Sequence, residues 1–90
     1  MSYMMVGTYG PFSSLLDERA MTCFNEATAH FDDVQYTPVA VATQVVSGTN
    51  YAFFCDAKAK EGAALYSAMI TIFKPLDGVA GIMDIEKLSD

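Results

Sequence analysis

The sequence contains only two cysteines among its 90 residues, and it has no tryptophan. Two cysteines are too few for the disulfide framework that stabilises many small secreted domains. Positive charge is also scarce, because five basic residues oppose eleven acidic ones and give a net charge of −6. A nucleic acid backbone or an anionic membrane surface would repel such a chain. No apolar run approaches the ~20 residues of a transmembrane helix. The composition leaves open a neutral or basic protein as a partner.

Hydrophobic residues form 52% of the chain, which favours a folded core over a disordered polypeptide. We expect a single domain over residues 1–90, because a chain of this length supports one small core. The segment Met1–Val6 has neither the basic residue nor the apolar stretch of a signal peptide. This predicts a cytoplasmic protein, although secretion stays open, because a chain that had lost its leader would look the same. In a reducing compartment, Cys23 and Cys55 would be small core residues.

The N-terminal third predicts an arm followed by a helix. Residues 1–12 contain two glycines and Pro11, which are poor helix formers, and therefore predict an extended arm. A helix is predicted over Leu15–Phe31, with Ser13 or Ser14 as the N-cap. Apolar residues with helical spacing form one stripe in this segment: Leu16, Ala20, Cys23, Phe24, Ala27 and Phe31.

The remainder of the chain predicts β-structure, because it is rich in β-branched and aromatic residues between turn signals. The predicted strands are Tyr36–Val46, Asn50–Ala57, Leu65–Phe73 and Val79–Ile85. The turn signals between them are Ser47-Gly48-Thr49, Lys58–Gly62 and Pro75-Leu76-Asp77-Gly78. Pro38 predicts an edge or a bulge in the first strand. Alternation places Tyr51, Phe53 and Cys55 on one face, which we expect to be covered by the helix.

This order of elements predicts the α+β class, with one N-terminal helix packed across an antiparallel sheet of four to five strands. The fifth strand would be a short one before the helix. The helix stripe must lie against one face of the sheet, because the chain offers nothing else that could bury it.

The first predicted hairpin carries a recognisable motif. Its turn reads Gln44-Val45-Val46-Ser47-Gly48, followed by Thr49-Asn50-Tyr51. This resembles the Gln-x-Val-x-Gly motif of the cystatins, in the extended form found in stefins. Met4-Met5-Val6-Gly7 resembles the N-terminal trunk of that family, and Ile72–Leu76 resembles its second hairpin loop. The resemblance extends over residues 4–88, and it implies a cystatin-like fold of the stefin type.

In that family, the trunk and the two hairpin loops form a wedge that enters the active-site cleft of papain-like cysteine proteases. The resemblance therefore implies a reversible competitive inhibitor that is not an enzyme and uses no cofactor and no metal. The residues it assigns to protease binding are Met5, Val6, Gly7, Gln44, Val45, Val46, Ser47, Gly48, Pro75 and Leu76. The chain departs from the stefin pattern at Pro75-Leu76, where stefins tend to have Leu-Pro, and at Thr8, which replaces a second glycine. Gly10 is the alternative for the role of Gly7.

Two other function classes stay open. One is a cystatin-fold interaction or structural module that does not inhibit proteases. A strand-exchanged dimer, in which the hairpin at Gln44–Gly48 opens into one long strand, would be such a module, whereas the inhibitor is expected to be a monomer. The other class is a small enzyme that uses Cys23 or Cys55, which would lose its activity on thiol alkylation. His30 follows Cys23 by seven residues, which is about 10.5 Å along a helix and too far for a catalytic pair.

Overall fold

The computed structural model describes residues 9–62 and 64–88, and within them the chain forms one helix and four strands. The elements are α1 (Glu18–Ala27), β1 (Val34–Val46), β2 (Gly48–Ala59), β3 (Leu65–Lys74) and β4 (Gly81–Lys87). The strands form one antiparallel sheet in the order β1-β2-β3-β4, which is a simple meander. The predicted α+β class, with a helix packed across an antiparallel sheet, is confirmed.

Helix α1 begins later than predicted. The predicted start at Leu15 is wrong, because Asp17 is the N-cap and its carboxylate accepts a hydrogen bond of 2.9 Å from the amide of Ala20. A carboxylate at this position satisfies a free amide of the first turn and lies at the positive end of the helix dipole. Ser13 and Ser14 are therefore not the N-cap. The backbone of Ser13 pairs with β1 instead, as an isolated bridge to Val41.

The helix also ends earlier than the predicted Phe31. The amide and the hydroxyl of Thr28 both donate to the carbonyl oxygen of Phe24, at 3.0 and 2.8 Å. The last turn has no basic side chain to favour its continuation. Phe31 lies beyond the helix, 37% exposed, with its ring centroid 5.7 Å from that of Tyr36. The predicted apolar stripe therefore continues along the helix only as far as Ala27, where the helix ends.

The core lies between α1 and the face of the sheet that the alternation pattern predicted. The buried cluster consists of Ala20, Cys23, Phe24, Val41, Tyr51, Phe53, Cys55, Ile70, Ile72 and Ala80, with Leu16 and Ala27 packed against it. The prediction that Tyr51, Phe53 and Cys55 face the helix is confirmed. Phe53 is fully buried, and its ring meets that of Phe24 edge-on at 5.0 Å. Burial of such a side chain contributes about 2–3 kcal/mol.

The β1–β2 hairpin is paired along almost its whole length, from Val34↔Ala59 to Val46↔Gly48. The register shifts once, between Pro38 and Ala40, which confirms the predicted bulge. Proline cannot donate to the ladder, and β1 tolerates it because this strand lies at an edge of the sheet.

The end of the N-terminal arm covers part of that edge. The amide of Gly10 donates to the carbonyl of Thr43 at 2.9 Å, and Ser13 and Val41 exchange two backbone hydrogen bonds of 2.9 Å. From Ser13 back to Gly10 the arm therefore runs along β1 towards the end of that strand. Within residues 9–62 and 64–88, the bridge between Ser13 and Val41 is the part of the predicted fifth strand that is present.

The last strand begins two residues later than predicted. Val79 and Ala80 belong to the connection between β3 and β4, which comprises residues 75–80 and is called the second loop below. The predicted turn at Pro75–Gly78 is therefore the first part of a longer loop. In the part of the chain that the structure describes, no helix is long and apolar enough to cross a membrane.

Candidate functional site

The β1–β2 connection is as short as a hairpin allows. Val46 pairs with Gly48, so Ser47 alone joins the two strands. Val45 and Val46 are 72% and 44% exposed at this point, although both are apolar. Their β-branched side chains are stiff, and the paired backbone beneath them is fixed. We call residues 45–48 the hairpin tip.

Gly48 supports the tip from the inside. Its φ is +116°, a conformation that side-chain-bearing residues rarely adopt. An added Cβ would lie 2.5 Å from the carbonyl oxygen of Lys74 and 3.0 Å from the ring of Phe73. Gly48 is buried, whereas the sequence predicted it among the protease-binding residues. Gly48 therefore determines the shape of the tip and allows the tip to pack closely against the end of β3.

The side chain of Gln44 is held by Asn50, its partner across the hairpin. The Asn50 Nδ2 donates a hydrogen bond of 2.6 Å to the Gln44 Oε1, and the pair is partly buried. A cross-strand bond of this kind fixes the register just below the tip. Asn50 was not among the predicted site residues, although its place opposite Gln44 in the hairpin could have indicated the contact.

The second loop presents the other predicted contact residue. Leu76 is 78% exposed and follows Pro75, whose carbonyl oxygen accepts a hydrogen bond of 3.2 Å from the Lys74 Nζ. Gly78 has a φ of +144°, and an added Cβ would lie 3.0 Å from the Pro75 Cγ. The loop is therefore folded back on the proline ring. Val79, which the sequence placed in a strand, is 69% exposed in this loop.

Both connections lie at the same end of the sheet, because a meander places its first and third turns together. The cross-strand pair Thr49↔Lys74 joins the base of one to the base of the other. We call this the loop end. The structure thus brings together the predicted residues of the two hairpin loops, and it adds Asn50 and Val79. The predicted trunk residues Met5, Val6 and Gly7 lie outside the described residues. The alternative residue, Gly10, is paired with the edge of β1.

Both thiols lie in the core. Cys55 is fully buried and Cys23 is 3% exposed, and both are free. Burial, together with the charge of Asp56, raises the pKa of the Cys55 thiol to about 12. A thiol with this pKa is neutral at physiological pH, whereas nucleophilic catalysis uses the thiolate.

The rest of the described surface offers little that could act as a chemical site. Residues 9–62 and 64–88 contain no group of three or more His, Cys, Asp and Glu side chains that could hold a metal ion. An open groove of about 540 Å³ lies at the end of the sheet opposite the loops, with Lys58, Lys60 and Asp32 in its walls. A second open depression of about 550 Å³ adjoins the start of α1 and Lys74. Both are open and have side chains of both charge signs in their walls, unlike the enclosed apolar pockets that hold small ligands.

Comparisons of the chain with protein-family models and with characterised proteins found no match. The resemblance to the cystatins therefore depends on the sequence segments that carry it, which are the motif at residues 44–51, the trunk segment Met4–Gly7 and the segment Ile72–Leu76.

Proposed function

We propose that this protein is a reversible, competitive inhibitor of papain-like cysteine proteases. The loop end would enter the active-site cleft as a wedge, with Val45 and Val46 at its centre and Leu76 beside them. The N-terminal segment, with Met5, Val6 and Gly7, would form the third part of the wedge. Binding would involve no covalent step.

The main support is the hairpin tip, where two exposed valines stand on a paired and fixed backbone. Exposed apolar residues that occur singly are common on protein surfaces. Here Val45, Val46 and Leu76 lie together at one end of the sheet, and none of them carries a charge. An apolar protrusion of this kind suits a cleft, and its burial would supply the favourable free energy of binding.

The rigidity of the tip supports the same function. Ordering a loop on binding costs about 0.5–1.5 kcal/mol for each immobilised side chain. The hairpin tip is already ordered before binding by the Gln44–Asn50 hydrogen bond and by the close packing of Gly48 against Lys74. A preorganised tip therefore loses little of its binding free energy to ordering.

The test is a titration of papain with the purified monomer and with a variant in which Gln44–Gly48 is replaced by a two-residue Asn-Gly turn. We expect stoichiometric inhibition by the parent and none by the variant. Papain that stays fully active at tens of micromolar monomer would contradict the proposal. Size-exclusion chromatography before the assay separates monomer from dimer. An inactive protein that elutes only as a dimer would favour the strand-exchanged module.

A further inference from the structure

The second loop is held at both of its ends, and only its middle is exposed. At its start, Lys74 donates to the Pro75 carbonyl. At its end, the amide of Ala80 donates a hydrogen bond of 3.2 Å to the Oε1 of Glu26 in helix α1. Between these two points, Leu76 and Val79 are 78% and 69% exposed. The loop therefore presents two apolar side chains between two fixed ends.

The Glu26 contact joins parts of the chain that are 54 residues apart. Ala80 is only 5% exposed, so its amide has little access to water and needs a partner inside the protein. Leaving a buried donor without a partner costs free energy, and a carboxylate is a stronger acceptor than a neutral group. Glu26 thus fixes Ala80 against the helix, and the position of Ala80 determines where the preceding residue points.

We infer that Val79 is a second apolar contact of this loop with the protease, and that Glu26 is a positioning residue that holds it in place. The inference rests on the proposed inhibition, and it extends the interface beyond Pro75 and Leu76. Like the valines of the hairpin tip, Val79 is β-branched and loses little rotamer freedom on docking. A partner for this part of the wedge would have an apolar surface wide enough for two side chains.

The contact is tested with Val79→Asp and a matched control, Leu65→Asp. Leu65 is 68% exposed, like Val79, but it begins β3 at the end of the sheet opposite the loops. We expect Val79→Asp to raise the inhibition constant for papain at least about tenfold, because a charge would be buried against an apolar surface. Leu65→Asp should leave it unchanged. Equal constants for the two variants, with the parent inhibiting, would overturn the contact role of Val79.

The positioning role is tested with Glu26→Ala, with Glu26→Gln, which keeps the accepting oxygen, and with Glu61→Ala as a control in an exposed turn remote from the loop end. Glu26→Ala should raise the inhibition constant about two- to tenfold, and the other two should not. The effect of Glu26→Ala should disappear in a Val79→Ala background, because a residue that acts through Val79 has nothing left to position. Additive effects in the double variant would overturn this role.

Amide hydrogen exchange provides a readout that does not depend on inhibition. The amide of Ala80 should exchange faster in Glu26→Ala than in the parent, and it should stay protected in Glu26→Gln. Unchanged protection in Glu26→Ala would overturn the positioning role even if papain is inhibited. A parent that does not inhibit papain would overturn the proposed function and the contact role of Val79 with it. If the parent and the Val79→Asp variant inhibit papain equally well, only the contact role of Val79 is overturned, and the proposed function stands.

Discussion

The two connections at the loop end are held by different means. The hairpin tip is fixed mainly by the backbone, because β1 and β2 pair up to Val46↔Gly48 and a single residue joins them, and the side-chain bond between Gln44 and Asn50 beside it is also local. The second loop spans residues 75–80, and side chains fix its ends. One of these side chains, Glu26, comes from the helix. Both connections nevertheless expose two apolar residues each, Val45 and Val46 in the tip and Leu76 and Val79 in the second loop.

The difference shows two routes to a preorganised binding loop. A tip made of paired strands is encoded locally, because the turn glycine and the β-branched residues lie within a few positions of one another. A loop held by side chains depends on residues that are distant in sequence. A single substitution in the tip should therefore have a large effect on its structure. A single substitution at one of the side chains that hold the second loop should have a smaller effect on that loop.

The largest expected effect is that of Gly48→Ala. A side chain there would be strained at a φ of +116° and would meet the Lys74 carbonyl oxygen, which belongs to the backbone and cannot move aside. We expect a loss of about 3 kcal/mol of unfolding free energy, together with loss of inhibition. Gly81→Ala is the control, since an added Cβ at Gly81 would have nothing within 4 Å. Chemical denaturation of both variants measures the difference. Equal stability of the two would show that the tip does not need this glycine.

Val46→Asp should affect binding and leave the fold intact. A buried contact at the centre of an interface typically contributes more than about 2 kcal/mol, or roughly a thirtyfold change in the dissociation constant. Leu65→Asp again serves as the control, and a thermal melt checks that both variants are folded. An affinity within error of the parent would place Val46 outside the interface.

A smaller effect is expected from the Asn50–Gln44 hydrogen bond. Asn50→Ala should lower the unfolding free energy by about 1 kcal/mol, because a partly buried hydrogen bond is lost. A double-mutant cycle with Gln44→Ala isolates the pair, and its coupling free energy should be at least about 0.5 kcal/mol. Additive single effects would mean that the bond does not stabilise the hairpin.

An effect of similar size, visible only at high pH, concerns the core on which both connections rest. The ordinary pKa of the Cys55 thiol is 9.0 and its folded-state value is about 12, so the unfolded chain releases this proton first as the pH rises. The stability due to the neutral thiol is fully present below pH 9 and is lost between pH 9 and about pH 12. Between pH 8 and pH 10 the parent should lose about 1 kcal/mol more than Cys55→Ala. Parallel stability curves for the two proteins would contradict a raised pKa.

The sequence predicted most of the framework, because the patterns that carry it are local. Alternation in β2 placed Tyr51, Phe53 and Cys55 against the helix, and Pro38 indicated the bulge in β1. The ends of the elements were less predictable. Ser13 looked like an N-cap, but its backbone is taken by β1, a strand that follows it by more than twenty residues, and Asp17 caps the helix instead.

The candidate site divides in the same way. Gln44, Val45, Val46 and Gly48 were predicted as site residues because one short motif resembles that of the cystatins, and the structure places them at one tight hairpin. No local pattern of residues indicated that Val79 belongs to the second loop. Alternation is compatible with a strand there, but the pairing of β3 with β4 begins at Gly81, and the amide of the preceding Ala80 donates to Glu26 instead.

The amino-acid pattern alone was enough to predict the α+β class, the antiparallel sheet and the position of the first turn, since each depends on neighbours in the chain. The tertiary structure decided which residues support the loops. Gly48 is buried because Phe73 and Lys74 pack against it. Val79 is exposed because the Glu26 carboxylate of the helix holds the neighbouring Ala80. Such contacts depend on the packing of a helix and a hairpin that meet only in the folded chain, and no local pattern of residues encodes them.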